Sequence, residues 1–309
     1  MPNVITLTMN PAIDKSSSVD SVASEIKLRC EKPQFDPGGG GINVSRAMHK
    51  LGGESMTVYT AGGGAGAMLT RLLTAEGLTT QPISISDMTR ENLIVYEHAT
   101  GLQYRFGMPG PDMTPAEVEA CLDVVLESGA EYIVASGSLP PSMEKDFYAT
   151  LARRVKATDS KLIVDTSGEA LEACASAGVY LLKPNLRELE KLSGETFQSE
   201  AIMQENVRKL IERGMAEVFV VSMGSAGAML ITADIAVKMR PPVVPIQSKV
   251  GAGDSMVGGI VWSLSRGDDL QTAVRYGIAA GSAAVMTPGT ELCRPDDVHD
   301  IFGRIAILD

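Results

Sequence analysis

The stretch Lys249-Val-Gly-Ala-Gly-Asp-Ser-Met-Val-Gly-Gly259 sets a Gly-Ala-Gly turn directly before an acidic residue, Asp254, and then a helix-like run. Such a turn leaves consecutive backbone N–H groups free at a helix N-terminus, where they and the helix dipole attract anionic oxygen. A carboxylate in the same place meets the need of a phosphoryl-transfer site for a base that accepts the proton of a hydroxyl. One short segment thus offers an anion hole and a base together. The same residues also read as an ordinary helix cap, because Asp and Gly are both frequent there.

Upstream of this segment, short apolar runs alternate with longer helical patterns. Val4–Thr8, Met56–Thr60, Tyr132–Ala135, Lys161–Asp165, Tyr180–Lys183 and Val218–Ser222 read as buried strands bounded by polar, Gly or Pro signals. Ile42–Leu51, Ala67–Glu76, Pro115–Leu126, Met143–Lys156 and Ile202–Arg213 carry helical periodicity. This order predicts βαβ units: an α/β fold with a mainly parallel, doubly wound sheet and helices on both faces. Two regions break the pattern. Residues 15–35 show no amphipathic helix, and Leu93–His98 and Gln103–Met108 flank Ala-Thr-Gly101 as a hairpin. Segments of about 15–35 and 88–108 are therefore expected to form a small β-sheet lid on one domain spanning 1–309.

The chain has 309 residues, 44% hydrophobic and 21% charged, which suits a soluble protein with a large core. A net charge of −11 argues against general binding of nucleic acid or anionic membranes. Cys30, Cys121, Cys174 and Cys293 form no CxxC pair, as expected of thiols in a reducing compartment. No basic-then-apolar leader and no apolar run of the roughly 20 residues a membrane span requires is seen, so the cytoplasm is the expected location.

Further segments carry chemistry. Gly38-Gly-Gly-Gly-Ile-Asn43 leads into a helix, and consecutive glycines suit a main chain that a ligand approaches closely. Gly62-Gly-Gly-Ala-Gly-Ala67 follows a strand and hints at a dinucleotide site, but no acidic residue ends a second strand where a ribose would need it. Asn185 and Glu188, three apart, suit a magnesium–water shell, although taken alone the pair reads more readily as a capping box. Ser222-Met-Gly-Ser-Ala-Gly-Ala228 puts a glycine-rich turn after a strand, as in a nucleotide pocket or a plain β-turn. Arg90, Arg105 and Lys27 place cations in the lid segments, and Arg suits a planar fork to phosphate. Asp14 follows the first strand, on the side where open α/β sheets bind ligands. The three histidines show no metal-ligand spacing.

Taken in order, Asn10-Pro-Ala-Ile-Asp14, Gly38–Asn43, Lys183-Pro-Asn-Leu-Arg-Glu188, Ser222-Met-Gly224 and Gly251-Ala-Gly-Asp254 resemble the signatures of the ribokinase-like (PfkB) sugar kinases over essentially the whole chain. Lys27-Leu-Arg-Cys30, Gly40 where relatives often carry Lys, and Gln103-Tyr-Arg-Phe106 make it most similar to the phosphosugar kinases of the minor 6-phosphofructokinase group. The resemblance implies a ribokinase-like fold, MgATP as donor and fructose 6-phosphate as acceptor. It makes Asp254 the base for the 1-hydroxyl and Gly251, Ala252 and Gly253 the anion hole. It gives the sugar substrate to Asp14, Gly39, Gly40, Asn43 and Ser138, and its phosphate to Arg90 and Arg105, with Lys27 from a partner chain. It gives ATP to Lys183, Asn185, Ser222, Gly224, Gly227 and Ser248, and Mg2+ to Glu188 through water with Asn185. It also implies a homodimer joined through the lid. Potassium activation is left open, because Ser248-Lys249-Val250 stands where relatives carry Asp-Thr or Ser-Thr, and Glu291 where a relative carries Arg. Tagatose 6-phosphate and fructose 1-phosphate are the alternative acceptors, and a phosphosugar-binding regulatory protein is the non-enzymatic alternative.

Overall fold

Buried runs such as Val4–Thr8 and Tyr132–Ser136, apolar towards both faces, form strands covered on two sides. The computed structural model describes residues 2–308. In chain order it contains β1 (Val4–Thr8), β2 (Ala12–Val19), β3 (Gln34–Gly38), α1 (Gly40–Lys50), β4 (Met56–Ala61), α2 (Gly63–Ala75), β5 (Thr79–Ser84), β6 (Arg90–Glu97), β7 (Gln103–Phe106), α3 (Pro115–Leu126), β8 (Tyr132–Ser136) and α4 (Phe147–Val155). There follow β9 (Lys161–Asp165), α5 (Gly168–Ala177), β10 (Val179–Leu182), α6 (Leu186–Ser193), α7 (Glu200–Glu212), β11 (Ala216–Ser222), β12 (Ala228–Ile231), β13 (Ala236–Arg240), α8 (Ala252–Leu264), α9 (Leu270–Ala284), α10 (Pro295–Arg304) and β14 (Ala306–Leu308).

The large sheet has ten strands in the order β14-β13-β12-β11-β10-β9-β8-β1-β4-β5. From β5 to β11 every pairing is parallel, and β12, β13 and β14 extend one side antiparallel. Side chains alternate across it with the period of a strand. Ile5, Leu7, Ile133, Ala135, Phe219 and Val221 face a core shared with α3, α4, α5 and α7. Val4, Tyr132, Val134, Val218 and Val220 face a second core with α1, α8, α9 and α10. The expected doubly wound, mainly parallel α/β sheet with helices on both faces is thus observed.

The lid is a separate four-stranded sheet, ordered β3-β2-β6-β7. Its central pair, β2 and β6, is parallel, with Asp14 opposite Asn92, and β3 and β7 flank it antiparallel. The lid strands begin earlier than expected, at Ala12 and Arg90, while residues 20–33 hold no regular strand. The hairpin turns at Gly101, whose N–H donates to the Glu97 carbonyl at φ 69°. The lid stands on α2 through Ile13 and Phe35, packed with Tyr59, Leu69 and Leu73.

Helix boundaries depart from periodicity where glycines enter. Helix α1 begins at Gly40 and α2 at Gly63, two and four residues before the apolar pattern starts. Gly62, the N-cap of α2, serves packing: a Cβ there would lie 1.7 Å from the Asp87 carbonyl at the base of the lid. Gly227 has a similar role in the hairpin after β11. Its φ is 93°, and a Cβ there would lie 1.9 Å from the Met239 carbonyl of β13. Gly227→Ala is therefore expected to lower stability by about 2 kcal/mol or more. A urea unfolding midpoint equal to that of the parent would refute it.

Candidate active site

Parallel strands all end on one edge of a sheet, and ligand sites of open α/β folds gather there. Here that edge carries Asn10 beyond β1, Ser138 beyond β8, Asp165 at the end of β9, Lys183 just after β10 and Ser222 at the end of β11. Helix α8 starts above it with Gly251 as N-cap, in the left-handed region at φ 72°. No side chain caps this helix. The first N–H to find a helical partner is that of Ser255, donating to the Gly251 carbonyl at 2.8 Å. The N–H groups of Ala252, Gly253 and Asp254 are left without a partner among the described residues, as helix geometry dictates for a first turn. A side chain on Gly251 would collide with Leu292, whose Cδ2 lies 2.4 Å from the Cβ position. Glycine therefore satisfies both the turn and the packing.

Asp254 is held from α1. Asn43 Nδ2 donates to its Oδ2 at 2.9 Å. Protein surrounds the carboxyl on most sides, although the crevice mouth leaves part of the residue open to solvent. Burial raises the pKa of Asp254 to about 7, and the charge of Asp165 adds to the rise. The Asn43 hydrogen bond and Lys183 act in the opposite direction. Lys183, 7% exposed, forms an ion pair with Asp165 at 3.1 Å. Its Nζ lies 3.6 Å from where a Cβ on Gly253 would stand, directly beside the free N–H groups. Burial disfavours the Lys183 charge, but Asp165, Asp254 and Glu188 outweigh it and raise its pKa, so the ammonium stays protonated.

Asp165 is absent from the residues expected from the sequence. It was legible as the last residue of a recognised strand, on the edge where ligands bind. The apolar run before it drew the reading towards a plain buried strand.

On the lid side, Asp14 Oδ1 accepts from Asn92 Nδ2 at 2.8 Å, and its other oxygen lies 2.7 Å from the Cβ position of Gly38. Gly39, at φ 130°, caps α1, and a Cβ on Gly40 would come within 2.7 Å of the Gly137 nitrogen. No side chain fits at Gly40 without displacing the backbone after β8. Arg90 donates to the carbonyls of Asn10 at 3.0 Å and Met108 at 3.2 Å. Its Nε is buried without a partner. Burial lowers the pKa of Arg90, opposed by the charge of Asp14. Ser138 Oγ accepts from Asn10 Nδ2 at 3.2 Å.

Arg105 stands elsewhere. It is exposed on β7 opposite Ile94, four residues along β6 from Arg90, or about 13 Å at strand spacing. Its Nε donates to Gln103. Within one chain the two arginines are thus not neighbours. Lys27 is exposed in the irregular segment between β2 and β3.

Asn185 and Glu188 form a full capping box on α6: Glu188 N–H donates to Asn185 Oδ1 at 3.0 Å, and Asn185 N–H to Glu188 Oε2 at 2.9 Å. The structural alternative drawn from the sequence is therefore realised. Glu188 Oε1 has no partner among the described residues. Ser222 N–H donates to the Pro184 carbonyl, joining the ends of β10 and β11, and Gly224 opens a short 3-10 turn. Ser248 Oγ donates to the Gly289 carbonyl at 3.0 Å and accepts from Val250 N–H, which ties the approach to Gly251 to the loop 287–293.

A carboxylate beside free helix N–H groups and a lysine, under a sheet carrying Asp14 and the half-buried Arg90, suits a phosphotransferase of the sugar-kinase type. The chain belongs to the pfkB family carbohydrate kinases, matching that family over residues 3–297. It is 46% identical over 303 residues to the ATP-dependent 6-phosphofructokinase isozyme 2 of Mycobacterium tuberculosis, covering 97% of this chain and 89% of that one. To the protein of the same name from Escherichia coli it is 39% identical, covering 99% of this chain and 100% of that one. The crystal structure of phosphofructokinase-2 from Escherichia coli in complex with fructose-6-phosphate superposes with a TM-score of 0.90 at 38% identity, covering 98% and 99% of the two chains.

The raised pKa of Asp254 has a consequence for stability. Its unfolded value lies near 3.8 and its folded value near 7, so folding takes up a proton between them. Stability tied to this group is complete below the lower value and is lost as pH rises through the upper one. Asp254→Asn is therefore expected to raise Tm relative to the parent at pH 8, with the gap shrinking towards pH 4. A Tm difference independent of pH across this window would contradict it.

Proposed function

We propose that this chain transfers the γ-phosphoryl group of ATP to the 1-hydroxyl of fructose 6-phosphate. The carrying observation is Asp254, hydrogen-bonded to Asn43 and seated in the first turn of α8 beside three free N–H groups. The relatives named as 6-phosphofructokinases support the choice of sugar.

In this reading Asp254 accepts the hydroxyl proton as the oxygen attacks phosphorus. The N–H groups of Ala252, Gly253 and Asp254, with Lys183, stabilise the charge that spreads over the transferring group. Asp14 and Asn43 orient sugar hydroxyls, and Arg90 binds the 6-phosphate through its unpartnered Nε. Arg105 and Lys27, both exposed, fit contact with a sugar phosphate across a subunit boundary better than within one chain. ATP lies along Lys183, Asn185, Ser222, Gly224, Gly227 and Ser248.

The acidic groups around Lys183 suit a hydrated divalent cation, because Mg2+ keeps most of its waters and takes one or two carboxylates. Glu188, with Asn185 as its capping partner and Oε1 free, would hold Mg2+ through water, and Asp165 is a second candidate carboxylate. When bound, the ion neutralises phosphate charge. The exposed apolar residues of the lid, Ile26, Leu102 and Phe106, support a homodimer in which this sheet meets its counterpart.

The test is ADP release with MgATP against fructose 6-phosphate, tagatose 6-phosphate, fructose 1-phosphate and unphosphorylated fructose. The expected order by kcat/KM puts fructose 6-phosphate first. A preference for another sugar phosphate overturns the substrate, and saturable sugar binding without turnover favours the regulatory alternative. Asp254→Asn is expected to lower kcat by roughly 100-fold or more with ATP affinity retained. Arg90→Ala is expected to raise KM for fructose 6-phosphate by roughly 10-fold or more with KM for ATP retained. An unchanged KM removes Arg90 from the phosphate site.

A further inference from the structure

Arg46 is 5% exposed, sits one helical turn beyond Asn43 on α1, and is one of the few buried charges of the molecule. Its guanidinium holds Glu76 in a two-pronged pair, with Nε to Oε2 at 2.7 Å and a terminal nitrogen to Oε1 at 2.9 Å. The other terminal nitrogen, Nη1, donates to three oxygens: Asn43 Oδ1 at 3.2 Å, the Thr290 carbonyl at 3.2 Å and the Pro37 carbonyl at 3.4 Å. The Arg46–Glu76 pair accounts for the charge. It does not account for Nη1 turning towards the active site.

The contact with Asn43 has a strict chemical meaning. A primary amide has an accepting end and a donating end, and the two are interchanged by rotation about one bond. A guanidinium donates and never accepts. With Nη1 at one end of the amide, Asn43 must put its oxygen there and its NH2 group towards Asp254. That is the orientation observed, with Nδ2 donating to Asp254 Oδ2. Released from Arg46, the amide could turn its oxygen towards the carboxylate, exchanging an attraction for a repulsion. Helix spacing makes the relay possible, since positions three apart share one face.

We propose that Arg46 is a positioning residue for phosphoryl transfer: it locks the amide of Asn43 so that Asn43 donates to Asp254 and favours the ionised base. The same Nη1 reaches the base of β3 at Pro37 and the loop beside Gly251 at Thr290, so one cation also ties lid, base and anion hole. The proposal rests on Asp254 being the base.

The experiment measures kcat/KM for fructose 6-phosphate against pH. Arg46→Lys keeps a cation beside Glu76 but gives up the nitrogen that reaches Asn43. Its acid limb is expected to move up by about one pH unit, a loss of roughly 10-fold on that limb, with KM for ATP unchanged. In an Asn43→Ala background, Arg46→Lys should move the limb no further. A limb that stays in place, or one that shifts equally with and without Asn43, overturns the relay. The double variant Arg46→Met, Glu76→Met leaves no orphaned carboxylate. It carries the same expectation and settles the matter should Arg46→Lys fail to fold. Asp254→Asn run in parallel separates the two levels. Undiminished turnover there removes the base itself, whereas dependence on Asp254 with an unmoved limb in Arg46→Lys removes only the role of Arg46.

Discussion

A helix N-terminus with no cap leaves donors unsatisfied, and most proteins cover such an end with a side chain. Helix α8 does not. Gly251 has no side chain to offer, and its left-handed turn aims the next three N–H groups into the crevice. This undercapped turn gives the nearby groups their purpose. Lys183 stands beside it, Asp254 grows from it, and Leu292 packs so closely on Gly251 that nothing larger can refill the gap. The ten-stranded sheet supplies the rigid edge against which the donors are held.

Charge in the crevice is balanced by pairing rather than by hydration. Two acids, Asp165 and Asp254, share one lysine. Asp165 holds the lysine directly, while burial, with the charge of Asp165 added to it, raises the pKa of Asp254. A carboxyl that titrates near neutrality is a better proton acceptor than an ordinary aspartate and still ionises at physiological pH. Because Asp165 takes the lysine, the amide of Asn43 becomes the principal group favouring the charged form of Asp254.

Much of this arrangement was legible in the sequence. The parallel strands β1, β4, β8, β9, β10 and β11 announce themselves as short apolar runs, whereas the polar edge strand β5 does not, and Pro115–Leu126 matches α3 to the residue because Thr114 and Glu117 form its capping box. The Gly-Ala-Gly-Asp turn is a local motif, and local motifs read well. What escaped depends on tertiary placement. β12 to β14 form the antiparallel side of the sheet, where β13 interrupts its apolar residues with Lys238 and Arg240 and β14 is only three residues long. The separation of Arg90 from Arg105 follows from strand register, which sequence spacing does not fix. The role of Asn185 and Glu188 as a cap was read as one of two alternatives, because a magnesium shell and a capping box use the same spacing. Arg46 gave no motif at all, since its meaning lies in Asn43 and Glu76 meeting around it.

The lid has a mechanical property beyond covering the crevice. Its two central strands each carry, at the end nearest the large sheet, a residue that the proposed reading gives to the sugar: Asp14 on β2 and Arg90 on β6. Their far ends carry exposed surface. Ordering such a sheet takes entropy from it, and that loss is incurred once, whichever end is gripped first. On that reading, contacts made on the outer end would tighten the grip of the inner end on sugar without touching the site, and bound sugar would strengthen those outer contacts by the same factor. In such an architecture, association through the lid and affinity for sugar would be two readings of a single stiffness.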